Sequence, residues 1–162
     1  MKKFLPLLLL PFLFSCGETP KENKTLAKAD SVSVAPAKTD IGKTGFAIAL
    51  NSNYKMEERK GPDYIVYYIN PVDTINGKGE AGIYFGPAPD QTGPKSALSQ
   101  NVDEGMILGK KAHITTYTTP TYTWIETIVD ESDSLKIQYW YYGYNETEMI
   151  RLKEMMNSLS RK

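Results

Sequence analysis

The segment TYTWIETIVDESDSLKIQYWYY, residues 121–142, decides the predicted fold. Apolar and polar residues alternate along two runs within it, 122–129 and 135–142, and the polar stretch 130–134 separates them. Alternation with a period of two is typical of half-buried β-strands, and a short polar stretch between two such runs indicates a hairpin. We therefore predict two antiparallel strands joined by a five-residue loop.

The register of this hairpin determines which side chains share a face. A five-residue loop pairs Val129 with Leu135, Ile125 with Tyr139, and Trp124 with Trp140. One face then suits a core and carries Ile125, Val129, Leu135, Ile137 and Tyr139. The other is polar and aromatic and carries Tyr122, Trp124, Glu126, Lys136, Gln138, Trp140 and Tyr142. A four-residue loop would instead put the two tryptophans on opposite faces and Glu126 beside Tyr139 over the core; the first register separates polar from apolar residues better, so we predict it.

Further elements are predicted on either side of the hairpin. An alternating run at 46–50, a run at 64–69 that is apolar on both faces, and further runs at 82–85 and 111–118 indicate four more strands. The Pro/Gly-rich stretch 86–95 indicates a loop. Residues 96–104 are compatible with a second, short helix. Asn145 followed by Glu148 is a capping-box pattern, and the apolar stripe Met149, Leu152, Met156 and Leu159 predicts an amphipathic C-terminal helix. The predicted fold class is α+β: an antiparallel β-sheet of about six strands with this helix packed on one face.

This order of elements resembles the Mog1/PsbP-like α/β sandwich over residues 44–160. The resemblance rests on the strand order, on Asn53 and Tyr54 after the first strand, and on a helix that ends in Met156-Asn157-Ser158-Leu159. It implies a binding module, chaperone-like adaptor or assembly factor, because members of that fold usually act without catalysis.

The first sixteen residues have the features of an export signal. Lys2 and Lys3 precede an apolar run of eleven residues, 4–14, which is shorter than the roughly 20 residues that span a bilayer. Leu13-Phe14-Ser15-Cys16 resembles the lipobox of bacterial lipoproteins, which implies cleavage after residue 15 and lipidation of Cys16. Gly17 in place of Asp resembles the pattern that sorts such proteins to the outer membrane. The predicted location is therefore the cell envelope, with the membrane contacted through the lipid.

Residues 16–42 are predicted to form a flexible tether between the lipidated Cys16 and a single α+β domain, 43–162. The segment is rich in Lys, Ala, Ser, Thr, Pro and acidic residues and contains no aromatic residue, so it cannot bury enough apolar surface to offset its ordering entropy. Within it, Asp30-Ser31-Val32 resembles an O-glycosylation signal of one phylum of Gram-negative bacteria, which makes Ser31 a candidate modification site.

Charge and residue types limit the chemistry. Lys and Arg together number 19, as do Asp and Glu, so the chain carries no net charge that would favour nucleic acid. The one cysteine is assigned to lipid and the one histidine is His113, which leaves no zinc motif and no nucleophile elbow. We predict no cofactor and no metal, and no catalytic residue stands out.

The leading hypothesis is a non-catalytic, tethered binding domain that recognises a protein, peptide or glycan through the aromatic face. The predicted binding residues are Tyr122, Trp124, Glu126, Trp140 and Tyr142. The loop and helix of residues 86–110 could instead cover that face and make it a second core layer. Two other functions stay open: a carboxylate-dependent hydrolase of cell-wall or surface glycans that uses Glu126, and an immunity-type inhibitor of a toxin.

Overall fold

The computed structural model describes residues 37–73, 79–90 and 93–162. In this part of the chain, ten strands precede or follow a single α-helix, α1 (Glu146–Asn157). The strands are β1 (Thr39–Asp40), β2 (Phe46–Ile48), β3 (Tyr54–Lys60), β4 (Ile65–Pro71), β5 (Glu80–Gly86), β6 (Ser99–Ile107), β7 (Lys110–Thr118), β8 (Thr123–Ser132), β9 (Leu135–Gly143) and β10 (Ser160–Arg161). The fold is broadly α+β, but two antiparallel sheets of three and seven strands replace the predicted sheet of about six.

The larger sheet has the strand order β3-β4-β5-β9-β8-β7-β6. Two meanders, β3–β5 and β6–β9, meet where β5 pairs with β9, so residues 80–86 lie beside residues 136–142. The smaller sheet has the order β1-β2-β10 and joins the beginning and the end of the described chain. Phe46 and Ile48 of β2 and Leu159 before β10 belong to the same buried cluster as β4, β5 and β9. The smaller sheet and the helix therefore cover one face of the larger sheet.

The core on this face is built as the alternation predicted. Ile137, Tyr139 and Tyr141 of β9 are buried against the helix residues Leu152 and Met156. Burying a side chain of this size contributes roughly 1.5–3 kcal/mol, so a few such residues hold the helix on the sheet. The even-numbered residues of β9 point to the opposite face, because successive side chains alternate along a strand.

The hairpin of β8 and β9 has a different register from the predicted one. Val129 pairs with Ile137, Ile125 with Tyr141, and Trp124 with Tyr142. The strands continue to Ser132 and from Leu135, with a β-bulge between Asp130 and Ser132, so the connection is shorter than five residues. The pairing is displaced by two residues, and an even displacement leaves every side chain on its predicted face. Trp124 and Trp140 consequently lie on the same face.

The predicted short helix at 96–104 is wrong. Residues Ser99–Ile107 form β6, a fully paired partner of β7 at the edge of the larger sheet. A tight turn joins them, in which Leu108 and Gly109 both have positive φ, 54° and 74°. Two positive φ values match the twist that a two-residue hairpin requires.

The C-terminal helix begins as predicted and ends earlier. The Asn145 side chain accepts a hydrogen bond from the Glu148 N–H at 3.0 Å, while the Glu148 carboxylate accepts from the Tyr144 N–H at 3.2 Å. The helix stops at Asn157, and Ser160–Arg161 turn back as β10, so Leu159 packs into the core from outside the helix. Met155 is buried as well and completes the apolar stripe.

The folded part extends into the segment predicted as tether. Thr39 and Asp40 pair with Ile48 and Ala47, and the Ile41 side chain is fully buried. Residues 39–41 therefore belong to the domain, whose predicted start was residue 43. The export signal 1–15, Cys16 and Ser31 lie outside the described residues.

Candidate functional site

A cleft of about 520 Å³ lies on the face of the larger sheet opposite the helix. Strands β4, β5, β8 and β9 form its floor, and the loop after β5 forms one side. Its lining residues are Tyr64, Val66, Tyr68, Glu80, Ala81, Tyr84, Ala88, Asp90, Trp124, Gln138, Trp140 and Tyr142. Six of these twelve side chains are aromatic, and the volume lies within the range of small-molecule sites.

Trp140 forms the centre of the floor, across from Gly82. The two residues are cross-strand partners, and a Cβ atom on Gly82 would lie 2.2 Å from Trp140 Cζ2. The indole therefore occupies the space that a side chain at position 82 would need. Tyr68 of β4, on the far side of β5, stands edge-on to the indole, with ring centroids 6.1 Å apart. Trp140 and Tyr68 are both half-buried, so part of each ring faces the cleft.

A second aromatic group forms the wall on the β8 side. Trp124 stacks on Tyr142 with a centroid distance of 5.3 Å and an interplanar angle of 6°. Tyr122 packs against Tyr142 at 5.3 Å and Tyr144 at 5.9 Å, which extends the cluster away from the cleft. The Trp124 Nε1 atom is buried and has no hydrogen-bond partner.

The charged groups of the lining are acidic. The pKa of the Tyr142 hydroxyl is raised, mainly by burial and to a smaller extent by the hydrogen bond that it donates to the Glu80 carboxylate. Burial is also the main cause that raises the pKa of Tyr84, to which the negative charges of Asp63 and Asp90 add. Glu80 and Asp90 line the cleft directly, and no lysine, arginine or histidine is among the described lining residues.

Beside the cleft, on the same face of the sheet, the loop after β5 covers a group of buried polar side chains. Gln138 donates to the Asp90 carbonyl at 2.6 Å and to the Glu126 carboxylate. The Tyr117 hydroxyl donates to the same carboxylate at 3.4 Å, and Gly93 of the loop lies against the Tyr117 ring. Glu126 and Gln138 are each only 2% exposed. These contacts tie the loop to the sheet and separate the Glu126 carboxylate from solvent.

The structure thus brings three of the five predicted binding residues together, Trp124, Trp140 and Tyr142. Tyr122 lies beside them and lines a neighbouring depression with Tyr144. Glu126 is on the predicted face, yet it is buried beneath the loop, which does not favour direct contact with a glycan substrate. The two interpretations of this face therefore apply to neighbouring parts of it: the loop covers Glu126, whereas its cross-strand partner Trp140 lines an open cleft.

The residues that sequence reasoning missed come from distant parts of the chain. Tyr68 and Glu80 reach the cleft because β4 and β5 pair beside β9. Tyr68 was visible only as an even-numbered member of the predicted strand 64–69, and Asp90 as an acidic residue in a loop. The pairing of β5 with β9, which the sequence does not encode in any local pattern, brings them to Trp140.

The other residues that were considered as candidate sites do not line this cleft. His113 is exposed on β7, across from Glu104. Glu131 of the acidic hairpin binds Arg161, whose Nη2 lies 2.6 Å from Oε2. Among the described residues, no group of three or more His, Cys, Asp or Glu side chains is arranged to hold a metal ion.

In the described part of the chain, no helix has the length and hydrophobicity needed to cross a bilayer. No protein-family model and no curated protein sequence matches this chain.

Proposed function

We propose that this protein is a lipid-anchored envelope protein whose folded domain binds a ligand in the aromatic cleft without catalysing a reaction. The observation that carries the binding proposal is the cleft itself: Trp140, Trp124 and Tyr68 offer half-buried rings around about 520 Å³ of open space. Aromatic side chains that stay partly exposed on a rigid sheet are typical of recognition surfaces. The domain would resemble Mog1/PsbP-like modules in acting as a binding unit.

The absence of a catalytic role is part of the same proposal. The candidate acid Glu126 is engaged by Gln138 and Tyr117 and is buried, whereas a general acid must reach the atom it protonates. Glu80 at the cleft accepts a hydrogen bond from Tyr142, an arrangement that positions the carboxylate for binding.

A fragment screen by ligand-observed NMR on the full chain tests the binding proposal. We expect fragments that bind the wild-type protein and no longer bind a Trp140→Leu variant with an unchanged circular dichroism spectrum. Ile150→Ala is the matched control, because Ile150 is 51% exposed on the helix, on the other side of the sheet. Binding that survives in Trp140→Leu, or no binding at all, would contradict the proposal.

The lipid anchor is tested separately with Cys16→Ser. If Cys16 is acylated, the wild-type protein incorporates labelled palmitate and sediments with membranes, and Cys16→Ser does neither. Equal labelling of both proteins would remove the anchor from the proposal without affecting the cleft. The sorting to the outer membrane is tested by density separation of the two membranes in the same cells.

A further inference from the structure

The charged residues that line the cleft are acidic, which limits the charge that a ligand can carry. Glu80 and Asp90 border the cleft, and Asp63 lies close enough to Tyr84 to act on its hydroxyl. No basic side chain is present among the described lining residues. The two carboxylates would repel an anionic ligand and attract a cation. The Arg59 guanidinium lies over the Tyr68 ring, so this attraction is strongest away from Tyr68, toward Trp140 and Glu80.

The aromatic rings favour a cation for an independent reason. The face of an aromatic ring carries partial negative charge, so it attracts a cation, and the attraction is stronger where the cation is desolvated. One ring of the cleft already makes this contact within the protein: the Arg59 guanidinium carbon lies 4.8 Å from the centroid of Tyr68. Trp140 is a better partner of the same type, since Trp gives the strongest cation–π contacts.

The remaining lining is apolar and small. Val66 and Ala88 leave space between the rings and offer no further charge. A strongly hydrated, compact ion would lose its water without replacement in such surroundings. An organic cation with methyl or methylene groups around its charge would fit both the apolar walls and the acidic border.

We propose that the cleft binds a small organic cation of the alkylammonium class, with the charged nitrogen on Trp140, away from Arg59 on Tyr68, and within the field of Glu80 and Asp90. This inference rests on the proposed binding function and names the chemical class of its ligand.

The test compares two probes of nearly equal shape, choline and 3,3-dimethyl-1-butanol, in which a carbon replaces the charged nitrogen. Each is titrated into the full chain at constant ionic strength, and binding is followed by tryptophan fluorescence and by NMR. We expect choline to bind at least about tenfold more tightly, the ratio that 1.4 kcal/mol of cation–π and charge attraction corresponds to.

Two isosteric variants, Glu80→Gln and Asp90→Asn, remove the acidic charges and leave the shape of the cleft. We expect each to weaken choline about three- to tenfold and to leave the neutral probe unchanged, as expected for the loss of one nearby charge in a medium of intermediate dielectric constant. Glu154→Gln is the matched control, because Glu154 is an exposed carboxylate on the helix, which packs on the opposite face of the sheet. It should change neither affinity.

Three outcomes overturn the inference. Equal affinity for both probes means that shape alone selects the ligand. The proposed binding function then stands, and the proposed preference for a cation is wrong. Binding of a neutral N-acetylglucosamine oligomer without binding of choline replaces the cation with a glycan. If no probe binds but the fragment screen gives ligands that depend on Trp140, the cationic ligand class is refuted and the cleft remains a binding site. If the screen gives no such ligands, the proposed binding function is refuted as well.

Discussion

The contact between Trp140 and Gly82 makes a quantitative prediction about stability. In Gly82→Ala the new methyl group would lie 2.2 Å from Cζ2 and 2.6 Å from Cε2 and Cη2 of the indole, far inside van der Waals contact. Gly82 does not have a positive φ, so alanine meets no backbone strain there and the whole penalty is steric. Overpacking of this kind costs about 1–3 kcal/mol, and the lower entropy of an unfolded alanine offsets about 0.4–1 kcal/mol of it. We expect a net destabilisation of about 1–2 kcal/mol.

The same reasoning predicts that the penalty depends on the indole. The three nearest atoms belong to its six-membered ring, and a phenylalanine at position 140 lacks the second ring. In a Trp140→Phe background, Gly82→Ala should therefore be neutral or stabilising by up to about 1 kcal/mol. The coupling free energy of the double-mutant cycle should be about 2 kcal/mol, well above the additivity of distant sites.

Urea unfolding of the full chain, followed by circular dichroism, measures all four proteins of the cycle. Gly105→Ala is the control substitution in another strand, since its methyl group would meet only the flexible end of Ile114, at 3.1 Å, and no destabilisation is expected. A neutral Gly82→Ala in the wild-type background, or equal effects in both backgrounds, would show that the indole does not occupy this space.

Other contacts lead to further predictions. Tyr54 Oη is buried without a hydrogen-bond partner, so Tyr54→Phe should be neutral or stabilise by up to about 1 kcal/mol in the same unfolding assay; a clear loss would mean that the hydroxyl has a partner. Gln138→Leu deprives the buried Glu126 carboxylate of a donor and should destabilise by about 2–3 kcal/mol and speed hydrogen exchange in the covering loop, whereas unchanged exchange would refute the tie between loop and sheet. Burial and the hydrogen bond to a carboxylate raise the pKa of Tyr67 to about 12. Because the folded protein then holds this proton more tightly than the unfolded chain, the stabilisation is complete below pH 10 and is lost between pH 10 and 12. Tyr67→Phe should make the decline of the urea midpoint over that range less steep, and an identical slope would contradict the assignment.

The strands that could be predicted from the sequence are those with neighbours on both sides. β8 and β9 alternate because one face of each is packed against the core, β4 is apolar on both faces, and β2 is the central strand of the smaller sheet. The unassigned strands β1, β3, β6 and β10 are all sheet edges among the described residues. β3 reads YKMEERK and carries its own ion pairs, Lys55 with Glu57 and Lys60 with Glu58. Such an edge buries too little apolar surface to leave a periodic pattern, although charge at an edge is itself a device that prevents aggregation.

Only the part of the candidate site that lies within one hairpin could be predicted from the sequence. Trp124, Trp140 and Tyr142 follow from alternation within one hairpin, and an error of two residues in its register left their face unchanged. Glu80 and Asp90 could not be assigned, because their position depends on the pairing of β5 with β9 over more than fifty residues. Local sequence patterns predict the face of the sheet on which a side chain lies. Which strands lie side by side, and therefore which side chains share a cleft, depends on the topology.

The smaller sheet has a mechanical consequence. β1 and β10 are both antiparallel to β2, so they run parallel to each other on its two sides, about 10 Å apart at the usual strand spacing. Lys162 bridges to Asp40 at 2.8 Å, and Lys38 donates to Ser160 at 2.8 Å, which link the two ends directly. A force that pulls residues 38 and 162 apart would shear both short strands along β2 and load their hydrogen bonds together. The larger sheet and its aromatic cleft lie outside this line of tension, so the cleft would keep its shape until the contacts between β1, β2 and β10 break.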